Sequence, residues 1–165
     1  MKKFFTLFLI FTLFSLSGCA STGSIQPVES MNLQGKLSNY KTMNFEVTTT
    51  LNDRQDEVKE LKEKLIEKAK EKGLDKKLVE NPELKVVVNI TNVSGVSTMG
   101  RLMFGALAGR ATVEAQVELI DSAKGKITEL KAEGKSSGGS IFAGTTSQAL
   151  DKLAEQIIDY LVANM

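Results

Sequence analysis

Cys19 is the single thiol of a 165-residue chain that contains no histidine. Without imidazole the chain lacks the commonest general base and the commonest transition-metal ligand at neutral pH. One sulfur alone cannot close an internal disulfide. The carboxylates offer no substitute, because they fall on helix faces or alternate outward along strands, with neither the spacing of an acid–base pair nor that of a metal cluster. These residue types argue against an enzyme and call for no cofactor and no metal. The chemistry left to a lone cysteine is covalent modification.

Its surroundings say which modification. Lys2 and Lys3 precede an apolar run from Phe4 to Phe14, and the run leads to Leu16-Ser17-Gly18-Cys19. A membrane-crossing helix needs about 20 apolar residues, so this run is too short to span and reads instead as a secretory signal peptide over residues 1–18. The tetrad resembles the bacterial lipobox, in which the thiol receives diacylglycerol, the chain is cut before the cysteine, and the new amine is acylated. Each methylene buried in the bilayer contributes about 0.8 kcal/mol, so several acyl chains hold a protein firmly without a span. Ala20 follows the cysteine where an Asp would resemble an inner-membrane retention signal. The expected location is therefore the bacterial envelope, lipid-anchored at the outer membrane and facing the periplasm.

Loss of residues 1–18 takes Lys2 and Lys3 with it, so of 21 basic residues the remainder is one short of the 20 acidic ones. A nearly neutral chain lacks the basic field of a nucleic-acid binder. Residues 19–40, rich in Ser, Gly, Asn and Gln and carrying Pro27, read as the lipidated cysteine followed by a flexible linker. The alternative is that Met31-Asn32-Leu33 folds back as an edge element. Residues 41–165 suit one compact domain.

The elements follow from period. Met43, Phe45 and Val47 alternate into Thr48-Thr49-Thr50 as a first strand. Asn52 and Gln55 make a cap pair for a helix carrying Val58, Leu61, Leu65, Ile66 and Ala69, stopped by Gly73. Leu84, Val86, Val88 and Ile90 alternate with polar residues in a second strand. A third runs from Ala111 to Asp121 with Val113, Ala115, Val117 and Leu119 inward, and the turn Asp121–Gly125 leads to a fourth over Lys126–Ser136. Thr145 and Gln148 form a T-x-x-Q box ahead of a last helix bearing Leu150, Leu153, Ala154, Ile157, Ile158, Leu161 and Val162. The order βαβββα implies an α+β fold, a mixed and mostly antiparallel sheet with two helices packed on one face. A strand–helix–strand crossover makes the first two strands parallel. The 94–110 and 136–144 loops then share one end, and the linker is expected to enter at the opposite end.

Those two loops have the composition of a contact surface. The first carries Met99, Leu102, Met103, Phe104 and Leu107 among glycines, with Arg101 and Arg110 near its edges. A phosphate loop is a poor fit, since Arg101 and Leu102 stand where Lys and Ser/Thr are required. Gly105 to Gly109 has the small-xxx-small spacing that permits close backbone approach. Phe142, in the second loop, would join Phe104 in an apolar patch. The expectation is a partner-binding site of Met99, Arg101, Leu102, Met103, Phe104, Gly105, Gly109, Arg110 and Phe142 at the end distal to the anchor. Its occupant would be an envelope protein or a second copy; a small-ligand or lipid site beneath the same loops is the alternative, discriminated by a deep pocket there.

The signal peptide with Cys19, the strand Leu84 to Val93, the run Gly105-Ala106-Leu107-Ala108-Gly109-Arg110-Ala111, the strand Val113 to Asp121 with Gly125-Lys126, and the Ser-Gly-Gly stretch before the last helix together resemble a family of uncharacterised bacterial lipoproteins, domain of unknown function 4410. The resemblance covers most of the mature domain and brings no catalytic residue. More distantly, the βαβββα order is similar to small periplasmic lipoprotein domains that contact envelope machines.

Overall fold

The computed structural model describes residues 21–28, 36–95, 110–137 and 144–165. Its strands are β1 (Thr22–Pro27), β2 (Met43–Thr49), β3 (Leu84–Ser94), β4 (Thr112–Asp121) and β5 (Gly125–Lys135), and its helices are α1 (Gln55–Glu71) and α2 (Thr146–Ala163). The sheet order is β1-β5-β4-β3-β2; β2 and β3 are parallel and every other pair is antiparallel. Alternation along the strands sends Phe45, Val86, Val88, Ile90, Val113, Val117, Leu119 and Leu130 to one face, where they are buried. On that face they meet Leu61, Leu65 and Ala69 of α1 and Leu150, Leu153, Ile157 and Leu161 of α2 in one core. The expected α+β order and parallel crossover are present, with one strand more.

That strand is β1. Residues expected to form a flexible linker instead pair with β5 in register, Thr22 opposite Lys135 and Pro27 opposite Leu130. The edge element is Thr22–Pro27, and Met31-Asn32-Leu33 lies outside the described residues. Pro27 is tolerated because an edge strand can leave one side of its backbone unpaired. Further along the same stretch, the short 3₁₀ turn Lys36–Asn39 seats Leu37 wholly inside the core and bonds its N–H to the Asn164 carbonyl at 3.0 Å.

Helix ends show two agreements and one correction. Gly73, at φ 76°, closes α1, with the Gly73 and Leu74 N–H groups returning to Lys70 and Ala69. This is the left-handed C-terminal motif for which glycine is suited. At the other end Asn52 is not the cap. Asp53 takes a left-handed conformation at φ 56°, so the helix begins later, with Arg54 in the cap position and paired to Glu57 at 2.7 Å. The second helix does start on Thr145, whose hydroxyl accepts from the Gln148 N–H.

Candidate functional site

Two ends of the sheet have different characters. At one, which we call the loop pole, β3 ends, β4 begins, β5 ends and α2 begins, so the 96–109 and 138–143 connections leave from and return to a common place. Its stems are fastened by a buried serine: the Ser136 hydroxyl accepts from the Ala111 N–H at 2.8 Å and the Ser136 N–H donates to the Ala111 carbonyl at 2.9 Å. Gly95 lies against this fastening, where an added Cβ would stand 3.1 Å from the Ala111 methyl. The Gln148 carbonyl oxygen of the side chain accepts from the Gly144 N–H and from the Ser137 hydroxyl, tying the returning segment to the start of α2. Its backbone partner is thus one residue earlier than the reciprocal bond of an ideal capping box.

Of the residues singled out in the sequence, Arg110 is at this pole and exposed. Met99, Arg101, Leu102, Met103, Phe104, Gly105, Gly109, Phe142 and the lipidation candidate Cys19 lie outside the described residues. The shared end of the two loops is as expected. The entry of the chain is not: because β1 is antiparallel to β5, Thr22 starts beside Lys135 at the loop pole, and the chain comes in among the loops instead of at the opposite end. The reversal has a plain cause, since the expectation ran the linker straight into β2 and left out the additional strand. Ser21, Lys64, Ser137, Ser147, Gln148 and Asp151 line a polar hollow of about 250 Å³ at this pole. Among the described residues that is smaller than the roughly 300–1,000 Å³ of ordinary ligand sites.

The sheet face opposite the helices is open and polar. Ser24, Gln26, Glu114, Gln116, Glu129, Lys131 and Glu133 surround a broad concavity of about 500 Å³. Its carboxylates are largely matched by cations. Lys126 reaches Glu118 at 2.9 Å and also Glu129, while Lys135 meets Glu133 at 2.6 Å. The hydrogen bond from Lys126, followed by that from Gln116, lowers the Glu129 pKa against the opposing effect of desolvation. Asn89 Oδ1, next to Thr48, Val87, Gln116 and Glu118, is buried without a partner among the described residues. No group of three or more His, Cys, Asp or Glu among those residues is placed to hold a metal ion.

At the far pole the turn Asp121–Gly125 is fixed by Asp121, whose Oδ1 accepts from the Ala123 and Lys124 N–H groups and whose Oδ2 accepts from the Tyr40 hydroxyl at 2.8 Å. The Ala123 N–H and then the Tyr40 hydroxyl hold the Asp121 carboxyl below its usual range. Desolvation, with the hydrogen bond to Asp121 next, raises Tyr40. Lys77 donates to the Tyr40 carbonyl at 2.9 Å. This cluster fixes the turn beside an open hollow of about 530 Å³ lined by Tyr40, Pro82, Glu83, Asp121 and Lys124.

Residues 28–149 match the family described as Domain of unknown function (DUF4410). The chain belongs to this family. No curated protein matches it in sequence. In fold it is similar to PelC from Paraburkholderia phytofirmans, solved as a dodecamer in two crystal forms, each with a TM-score of 0.53 and 12% identity, covering 86% of this chain and 96% of that one. A PDZ domain protein from Parabacteroides distasonis aligns at a TM-score of 0.45 and 11% identity, over 92% of this chain and 39% of that one. The family match takes in β2 through the first turn of α2, and so every stem of the loop pole except β1.

Proposed function

We propose that this chain is an acylated protein of the bacterial envelope that acts by assembly, joining copies of itself at the membrane surface to which Cys19 holds it, and that it catalyses no reaction. The observation that carries the reading is Cys19 itself, the one thiol in the chain, behind a short apolar leader and within Leu16-Ser17-Gly18-Cys19. Two further facts support it. Several carboxylates and ammonium groups of the described surface engage one another in ion pairs, such as Lys72 with Asp159 at 2.7 Å and Lys126 with Glu118, a pattern that steadies a surface more than it prepares proton transfer. The fold is also that of a protein solved as a dodecamer, aligned over nearly that protein's whole length. No helix among the described residues is long and apolar enough to cross a membrane, so attachment in this reading is through lipid.

The test is the mass of the purified full-length product, intact and then under native conditions. The expected results are a polypeptide that begins at Cys19 and carries acyl chains, and a particle of several copies. A mature chain that begins elsewhere, or a protein that stays monomeric at every concentration in the acylated form, overturns the corresponding half of the reading.

A further inference from the structure

The direction of β1 decides which pole meets the membrane. Thr22 lies opposite Lys135 and Pro27 opposite Leu130, so the chain enters at the loop pole and runs away from it. Cys19 precedes Ser21 by two positions, and at no more than about 3.6 Å per residue its Cα lies within about 7 Å of Ser21. The far pole is a strand length away: the ten residues of β4 cover about 30 Å. Nor does β1 offer slack. It is bonded along its length to β5, and Gly23 is covered by Gln156 of α2, whose Cγ would stand 2.4 Å from an added Cβ.

We propose that the loop pole, around Ser21, Gly95, Arg110 and Ser137, stands against the lipid surface, and that the Asp121–Gly125 turn points away from it. The proposal rests on the reading of Cys19 as the acylated residue. A long flexible linker would let a domain tumble at its membrane; an anchor two residues from a hydrogen-bonded strand fixes which end is down. The occupant of this pole is the phospholipid headgroup layer. The length of chain between Cys19 and the sheet argues for it, and the exposed guanidinium of Arg110 is of the right charge for anionic headgroups. The sequence-based expectation of a partner site far from the anchor is replaced: both connections of the pole start and finish on the membrane side.

Acylation consumes the native thiol, so a single introduced cysteine can be labelled alone. Full-length acylated protein is prepared with Ser94→Cys at the loop pole, Lys124→Cys at the far pole, Lys62→Cys on the exposed face of α1, or Lys131→Cys on the open sheet face. Each is labelled with an environment-sensitive fluorophore and reconstituted in phosphatidylethanolamine–phosphatidylglycerol vesicles that contain a nitroxide-labelled lipid. The expected result is quenching at Ser94→Cys several-fold stronger than at Lys124→Cys, with weak quenching at the two side positions. Inserting a long Gly-Ser linker between Ala20 and Ser21 should collapse the difference. Equal quenching at both poles, or quenching at Lys62→Cys or Lys131→Cys as strong as at Ser94→Cys, overturns the orientation while the anchor reading stands. Intact mass on the same samples separates the two failures, because an unmodified Cys19 removes the anchor and the orientation with it.

Discussion

Asp121 receives three hydrogen bonds at the far pole, two from the backbone of its own turn and one from Tyr40, a residue 81 positions earlier. The charged carboxylate is the form those donors favour, so its folded pKa is depressed. A depressed carboxylate stabilises the fold at every pH above its unfolded value, about 3.9, and that stabilisation is lost as pH falls through the lower folded value. Asp121→Asn keeps an acceptor for the turn and removes the charge. The variant should unfold at lower urea than the parent at pH 7, and the gap between the two midpoints should close below about pH 4. A gap that is unchanged down to pH 2 would mean that the turn needs only the acceptor. In the sequence Asp121 was legible as a turn residue, but its bond to Tyr40 was not, since no local pattern pairs residues so far apart. Gly134 was hidden for the same reason. An added Cβ there would stand 2.1 Å from the Ala149 carbonyl oxygen and 2.6 Å from the Leu153 nitrogen. Where a strand lets a helix this close is a property of packing, which period alone does not express.

At the scale of elements, what was legible had a strong local signal. The alternation of Leu84–Ile90 and Val113–Leu119, the helical spacing of Leu61, Leu65 and Ala69, the stop at Gly73 and the cap at Thr145 all stand as read. The residues before Tyr40 had no such signal. Thr22–Pro27 offers Ile25 as its one large apolar side chain, and its pairing partner lies more than a hundred residues further on. Leu37 is a lone leucine among polar neighbours, yet it is fully buried. This stretch is therefore part of the domain, and Leu37→Ala should cost about 2–5 kcal/mol, as other buried leucines do. Chemical denaturation reads the loss directly. A variant with the parent's stability would return the segment to the status of a linker, because a leucine in a solvated tether contributes almost nothing when truncated.

At the scale of the whole molecule, anchoring and assembly constrain each other. If Cys19 is acylated as proposed, a strand that begins three residues after it and runs down from the loop pole would place the acyl chains at one end of every copy. Copies that share a bilayer must all present that end to the same plane. Rotation about an axis along the membrane normal preserves this arrangement, whereas the perpendicular two-fold axes of a dihedral assembly turn half of the anchors to the opposite side. The acylated protein is thus expected to form closed rings of cyclic symmetry, with every Cys19 on one rim. The sheet edges fit heterologous contacts better than a continuous sheet. Phe45, on the β2 edge, gives its N–H to the Asn44 side chain, the Met43 carbonyl accepts from Val79, and Pro27 ends β1, so both edges are partly blunted. Electron-microscopic averages of the detergent-solubilised acylated protein should show a micelle on a single face of the ring. Particles with detergent on both faces would require anchors at both ends, an arrangement that β1, as it pairs with β5, does not permit within one membrane.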